Sequence, residues 1–156
     1  MSEAPKTEWL DWNNTKVLQK AAVVDEAGNL LAIKRTETGP ASRLGKWDLP
    51  GGSIENSDIE VGGKPHETAI RREVIEETGL ATLAIEAIFV DSWTFQRSPG
   101  PILGIAIGYR VTVKGVEPPV RLSDEHTEYM WGTHEEILAL DFGDDGGLHP
   151  SVIRAV

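Results

Sequence analysis

The sequence predicts an α/β (α+β) fold in which a mixed central sheet lies between helices. Apolar, β-branched segments typical of strands recur along the chain, and residues 83–95 and 102–114 are the longest. Residues 65–78 before them carry helix signals, and elements mixed in this order are typical of a sheet covered by helices. The chain has 156 residues, enough for a packed core. We therefore expect one domain over residues 1–156, with residues 1–15 as an N-terminal extension.

The first part of the domain is predicted to contain two strands, residues 18–24 and 30–34. A Gly-Asn pair between them supplies the chemistry of a turn. Residues 36–46 are polar and glycine-containing, which predicts a loop. Residues 47–52 are predicted to be a short extended piece that ends in a sharp bend.

The central helix has clear boundary signals. Pro65 suits a first helical position, and Gly79 supplies a stop after Thr78. Residues 56–64 before it are acidic and contain glycines, so we expect a loop there.

The last part of the chain is predicted to form a short strand at residues 128–132 and two helices. The first helix covers residues 134–140, and Thr133 with Glu136 forms a capping box at its start. Residues 149–156 are the second predicted helix.

Composition narrows the function. The formal net charge of −10 repels a phosphate backbone, which disfavours nucleic acid as a partner. The chain has no cysteine, which excludes disulfides, Cys-ligated zinc and thiol catalysis. No apolar run approaches the ~20 residues that span a bilayer, and residues 1–14 do not resemble a signal peptide. We expect a cytoplasmic protein without a membrane partner.

Three acidic residues of the central helix are the strongest functional signal. Glu73, Glu76 and Glu77 stand at i, i+3 and i+4 and therefore share one helix face. Like charges at this spacing repel one another, which a cation relieves. Clustered carboxylate oxygens suit Mg²⁺ or Mn²⁺. The alternative is a solvated charged face that neighbouring arginines offset.

The segment from Gly51-Gly52 to Leu80 resembles the signature of the Nudix (MutT-like) family. That pattern is Gly, five residues, Glu, seven residues, Arg-Glu, an aliphatic residue, any residue, Glu-Glu, any residue, Gly and an aliphatic residue. Residues 72–80 match its second half in full. The resemblance implies an α/β/α sandwich with a mixed sheet and places the box at about residues 51–80.

One departure from the pattern concerns the first glutamate. The position eight residues before Arg72 is Lys64, and the loop carries about six extra residues near 56–61. Asp58 and Glu60 of this insertion are the candidates to replace the missing carboxylate. The metal geometry and the rate therefore stay open.

The resemblance also implies roles for individual residues. Glu76 and Glu77 resemble the main metal ligands, and Glu73 resembles a further ligand or the base that activates water. Arg72 resembles the residue that orients these acids. Gly52 is expected to offer backbone to the metal, and Glu55 to contact the metal or substrate region.

Candidates also lie outside the box. Glu125 resembles the family's late-loop base and is preferred over its neighbour His126. Arg35, Arg43 and Lys46 are candidates for binding substrate phosphates, with ordinary solvated cations as the alternative.

The predicted function is divalent-metal-dependent hydrolysis of a P–O–P linkage in a nucleoside-diphosphate-linked small molecule. Nucleoside triphosphates, nucleotide sugars and ADP-ribose-type compounds all remain open as the substrate. The alternative is a non-catalytic nucleotide-binding sensor with the same fold, and a third option is an acidic interaction domain. The oligomeric state is also open, with a homodimer among the options.

Overall fold

A computed structural model of the chain describes residues 10, 13–39, 43–96, 100–114, 119–143 and 147–156. The predicted N-terminal extension therefore lies largely outside the described residues. The elements follow one another as β1 (Thr15–Val24), β2 (Leu30–Arg35), β3 (Trp47–Asp48), β4 (Gly51–Ser53), α1 (Asn56–Val61), α2 (Pro65–Thr78), β5 (Thr82–Phe95), β6 (Ile102–Val113), β7 (His126–Gly132), α3 (His134–Leu138) and α4 (Leu148–Ala155).

These strands form a mixed sheet, which confirms the predicted fold class. Its main path runs β3-β2-β1-β6-β5, while β4 pairs with β1 and β7 pairs with β2. The β1–β6 pair is parallel and the other pairs are antiparallel. The register that joins β1 to β2 contains one residue pair, Val24 with Leu30. The rest of β1 pairs with β4 and β6 instead of β2.

Alternate residues of the central strands feed two cores on opposite faces of the sheet. Ala21 and Val23 point to a core that includes Ile70 and Val74 of α2. Ala22 and Val24 point to a second core that includes residues of α3 and α4. Because successive side chains of a strand alternate in direction, helices cover both faces. The result is the expected α/β/α sandwich, with α2 fixed against one face.

The helix boundaries agree with the sequence prediction in most places. α2 begins at Pro65 and ends at Gly79, which has φ 72° in the left-handed region. Thr133 and Glu136 form the predicted capping box of α3. No helix of the described residues is both long enough and apolar enough to cross a bilayer.

The predicted loop at residues 56–64 was wrong, because Asn56–Val61 form the helix α1. Glu55 and Asp58 close a capping box at its N-terminus, with both reciprocal contacts present. Gly62, at φ 83°, ends the helix after six residues. The acidic composition and the nearby glycines favoured a loop, but a local cap of this kind supplies the first-turn hydrogen bonds.

Gly51 is required by the close approach of β4 to β1. A Cβ atom at Gly51 would lie 1.9 Å from the carbonyl oxygen of Gln19 on β1, a contact that only a backbone shift relieves. At Gly100 an added Cβ would meet no atom within 4 Å.

We expect Gly51→Ala to lower the free energy of unfolding by about 1–3 kcal/mol, the usual cost of forcing extra atoms into a packed site. Gly100→Ala is the matched control and should change it by about 0.5 kcal/mol or less. Urea unfolding followed by circular dichroism measures both. Equal stability of the two variants would show that β4 does not lie this close to β1.

Candidate active site

A cavity of about 480 Å³ lies where β4 and the N-cap of α1, the acidic face of α2 and the loop before β7 meet. Each of these three segments supplies polar groups to its wall. The lining residues are Gly51, Gly52, Glu55, Glu73, Glu76, Glu77, Ser123, Asp124 and Glu125. The structure therefore brings together the predicted acidic residues of the box with Glu125, which is far away in sequence.

The three helix glutamates differ in their exposure. Glu73 and Glu77 are buried, with 9% and 7% of their surface exposed, while Glu76 is exposed. Ile70 and Val74 pack into the sheet core and fix the rotation of α2 about its axis. Glu73 and Glu77, which adjoin this apolar face, are therefore held at the cavity instead of in bulk water.

The Gly-Gly pair permits the backbone of β4 to approach these carboxylates. The Gly51 N–H donates to Oε2 of Glu77 at 3.3 Å. A Cβ atom at Gly52 would lie 2.5 Å from Oε1 of Glu73. A side chain at position 52 would therefore displace the carboxylate, which explains why glycine suits this position.

Arg72 connects the carboxylates through its guanidinium group. Its Nη1 donates to Oε1 of Glu73 at 2.9 Å and to Oε2 of Glu76 at 3.4 Å. Its Nε and Nη2 donate to the two oxygens of Asp58 at 3.1 and 3.0 Å. The hydrogen bonds from Arg72 hold the pKa of Asp58 below its usual value. Glu55 is more loosely placed, with its Oε2 3.8 Å from Nη2 of Arg72.

Burial makes the ionised forms of Glu73 and Glu77 costly. It raises the pKa of Glu77 to about 9, against the opposing effect of Lys20 and with further contributions from Asp48 and Glu73. Burial also raises the pKa of Glu73, although Arg72 opposes the shift. Two adjacent buried carboxyl groups thus lack a full set of positive partners.

A divalent cation fits this deficit, because every candidate donor is an oxygen, as hard cations prefer. Within the described residues, no three acidic or histidine side chains already converge closely enough to hold a metal ion. The glutamates surround a cavity instead, and binding an ion requires side-chain rotation, for which the exposed Glu76 has room.

The predicted phosphate-binding residues Arg35, Arg43 and Lys46 do not line this cavity. Arg35 and Arg43 contact Asp48 at 3.1 and 3.3 Å, and Lys46 contacts Asp141 at 2.7 Å. These ion pairs lie within the chain, and binding of substrate by the three residues stays a prediction.

Asp48 is the centre of a buried charge cluster that the sequence analysis missed. Lys20 Nζ lies 2.8 Å and His149 Nε2 lies 2.7 Å from its Oδ1. Burial alone would raise the pKa of Asp48, but Lys20, His149 and Arg43 hold it well below the usual value. The available signal was a lysine within the apolar run of β1 and an aspartate between Trp47 and Leu49.

The two candidate bases, Glu125 in the loop before β7 and His126 at the start of β7, differ in their exposure. Glu125 is exposed and lines the cavity, while its backbone carbonyl accepts from the N–H of Thr36 at 2.9 Å. His126 is turned inward with 6% exposure, and burial lowers its pKa. The choice of Glu125 over His126 as the base stays a prediction.

The fold and the acidic cavity are typical of a class of enzymes that hydrolyse diphosphate linkages. The NUDIX domain model matches residues 19–151 of the chain. The chain therefore belongs to the Nudix family. It is a Nudix pyrophosphohydrolase, of a family that generally uses divalent metal ions and hydrolyses pyrophosphate linkages in nucleoside diphosphate derivatives.

Solved structures agree with this assignment. The MutT protein of Methanosarcina mazei Go1 is 25% identical, with a TM-score of 0.63, over 90% of this chain and 91% of its own. A MutT NUDIX hydrolase of Burkholderia pseudomallei is 25% identical, with a TM-score of 0.62, over 91% and 98%. The NUDIX domain of Shewanella oneidensis NrtR, solved with ADP ribose, is 18% identical, with a TM-score of 0.62, over 88% and 85%, and shows the fold alone. Among curated proteins there is no match to the chain.

The raised pKa of Glu77 predicts a pH dependence of stability in the absence of metal. The unfolded chain loses this proton near the ordinary value of 4.5, whereas the folded chain keeps it up to about pH 9. The contribution to stability is full below pH 4.5 and is lost as the pH rises toward 9. With a chelator present to remove divalent metal ions, the Glu77→Gln protein should therefore be more stable than the wild type at pH 8. At pH 4.5 the two proteins should have similar stability.

Urea unfolding at the two pH values tests this expectation. Glu76→Gln is the matched control, because it removes an exposed carboxylate from the same helix, and its stability should stay within about 0.5 kcal/mol of the wild type. A Glu77→Gln protein no more stable than the wild type at pH 8 would contradict the assigned burial cost.

Proposed function

We propose that this chain acts as a single domain that hydrolyses a P–O–P linkage in a small nucleoside-diphosphate-linked substrate, with Mg²⁺ or Mn²⁺ held by Glu73, Glu76 and Glu77. The observation that carries the proposal is that all three carboxylates line one cavity together with the backbone of Gly52. A solvated charged face, the alternative considered for this helix, would not have buried Glu73 and Glu77.

The electrostatics of the cavity favour a cation between the carboxylates and the substrate. Adjacent phosphates are negative, and a cavity walled by acidic side chains repels them unless a cation lies between. When bound, the divalent cation neutralises the phosphates and stabilises the charge that develops on the leaving oxygen. Arg72 orients Glu73 and Glu76, and the close backbone of Gly52 narrows the space in which the diphosphate can lie.

Glu125 is the residue we assign as general base, in preference to Glu73. Oε1 of Glu73 is occupied by Arg72 at 2.9 Å, and Glu73 is buried. Glu125 lies in the loop before β7, is exposed, and forms no salt bridge to another described residue. Its carboxylate is therefore available to accept a proton from the attacking water.

The charge of the chain supports a small substrate instead of a nucleic acid. A net charge of −10 repels an extended phosphate backbone, whereas one diphosphate needs one local cation site. The NrtR domain, which shares the fold, was solved with ADP ribose, and ADP-ribose-type compounds stand beside nucleoside triphosphates and nucleotide sugars among the proposed substrates.

The double variant Glu76→Gln/Glu77→Gln tests the assigned metal ligands. Because amide groups bind hard cations far more weakly than carboxylates, we expect loss of Mg²⁺- and Mn²⁺-dependent turnover in a protein that keeps its fold. Product release from nucleoside triphosphates, a nucleotide sugar and ADP-ribose, each with either metal, measures turnover.

Glu135→Gln/Glu136→Gln, two exposed glutamates of α3, is the matched control and should retain turnover. Retained activity of the Glu76→Gln/Glu77→Gln protein would refute the proposal. The sensor alternative would be favoured by a different result for the wild-type protein. In that case one of these compounds raises its melting temperature, but no product is released with either metal.

For the base, we expect Glu125→Gln to lower kcat by about 10²–10⁴-fold, the usual contribution of a general base, while Mn²⁺ affinity stays near that of the wild type. Glu128→Gln, an exposed residue of the adjoining strand, is the control. A pH–rate profile of each protein gives the comparison. If Glu125→Gln keeps wild-type kcat across the profile, the base lies elsewhere.

A further inference from the structure

The inserted helix α1 supplies a carboxylate where the family pattern has lost one. The pattern places a glutamate eight residues before Arg72, and this chain has Lys64 there. Lys64 is exposed and stands at the N-cap of α2. Among the described residues, Arg72 forms its salt bridges with Glu55, Asp58, Glu73 and Glu76. Two of these partners, Glu55 and Asp58, come from α1 or its N-cap.

Asp58 is the better placed of these two. It is 1% exposed, and both of its oxygens accept hydrogen bonds from Arg72, one from Nε and one from Nη2. This side-on pairing uses one edge of the guanidinium plane and fixes its orientation. Nη1 at the other edge is then directed to Glu73 and Glu76.

The position of α1 depends on the same contact. Asp58 is its buried residue, while Ile59, Glu60 and Val61 are exposed. A helix of six residues is not stable by itself. Asp58 also accepts the N–H of Glu55 at 2.8 Å through Oδ2. The carboxylate thus caps α1 and joins it to α2 in one arrangement.

We propose that Asp58 is the positioning residue of the active site, which fixes Arg72 and, through Arg72, the carboxylates of Glu73 and Glu76. It takes the place of the glutamate that the pattern has at position 64, and it does so from an inserted helix. The insertion is therefore part of the catalytic apparatus. The inference rests on the proposed function, since it assigns Glu73 and Glu76 to the metal.

The test compares Asp58→Asn with Glu60→Gln, which removes one negative charge from an exposed position of the same helix. Mn²⁺ affinity without substrate is measured by electron paramagnetic resonance, and kcat and KM are measured at saturating Mn²⁺. Loss of a residue that orients metal ligands typically costs 10–100-fold in metal affinity or activity. We expect a loss of about this size for Asp58→Asn, expressed in Mn²⁺ affinity and kcat more than in KM, and none for Glu60→Gln.

A double-mutant cycle with Arg72→Lys shows whether Asp58 acts through Arg72. The effects of the two substitutions on Mn²⁺ affinity should be strongly non-additive, as for residues in one ion-pair network. Additive effects, or wild-type Mn²⁺ affinity in Asp58→Asn, would overturn the proposal. If Asp58→Asn does not fold, Asp58→Ser decides, because its hydroxyl can still accept the N–H of Glu55 while the charge that pairs with Arg72 is removed. Wild-type Mn²⁺ affinity in that variant overturns the proposal, and a loss of about 10–100-fold supports it.

The Glu76→Gln/Glu77→Gln protein separates the two proposals. If that double variant binds Mn²⁺ as the wild type does, the proposed function fails. If the double variant loses Mn²⁺ binding while the Asp58→Asn protein keeps it, only the proposed role of Asp58 fails, and the proposed function stands.

Discussion

The burial of two adjacent carboxyl groups, Glu73 and Glu77, is the constraint on which the rest of the site depends. An ionised carboxylate is costly to remove from water unless a positive group compensates it. Ile70 and Val74 hold α2 against the sheet, so the helix cannot turn its acidic face outward without losing its own core contacts. Burial of these carboxyl groups thus lowers the local stability of the metal-free protein, and it places the groups where they can hold a cation.

Two groups of charges limit that cost from opposite sides. Lys20, which is paired with the buried Asp48, lowers the pKa of Glu77 from behind the sheet. Arg72 compensates Glu73 from the side of α1. Neither group enters the cavity wall, so the carboxylate oxygens that face the cavity remain open to a ligand. The helix α2 can therefore fold with these carboxylates in place, and the carboxylates still lack enough positive partners to favour binding of a cation.

The sequence predicted the parts of this arrangement that depend on short-range spacing. The i, i+3, i+4 glutamates, the stop at Gly79 and the capping box of α3 follow from one turn of helix geometry, and the box identified the family. Other contacts join residues that are far apart in sequence, 14 positions for Asp58 with Arg72 at the site and 101 positions for Asp48 with His149 in the buried charge cluster. Those pairings depend on how the sheet brings loops together, which no local pattern encodes. The helix α1 was missed because its acidic composition and nearby glycines favour a loop, and the ion pair of Asp58 with Arg72 that holds the helix in place is not visible in a local pattern.

Anomalous diffraction at the manganese edge, from crystals of the protein grown with Mn²⁺, tests directly whether the helix glutamates hold the cation. We expect an anomalous peak inside the cavity, within coordination distance of carboxylate oxygens from at least two of Glu73, Glu76 and Glu77. A crystal in which these side chains face the cavity while manganese binds elsewhere on the protein, or nowhere, would contradict it.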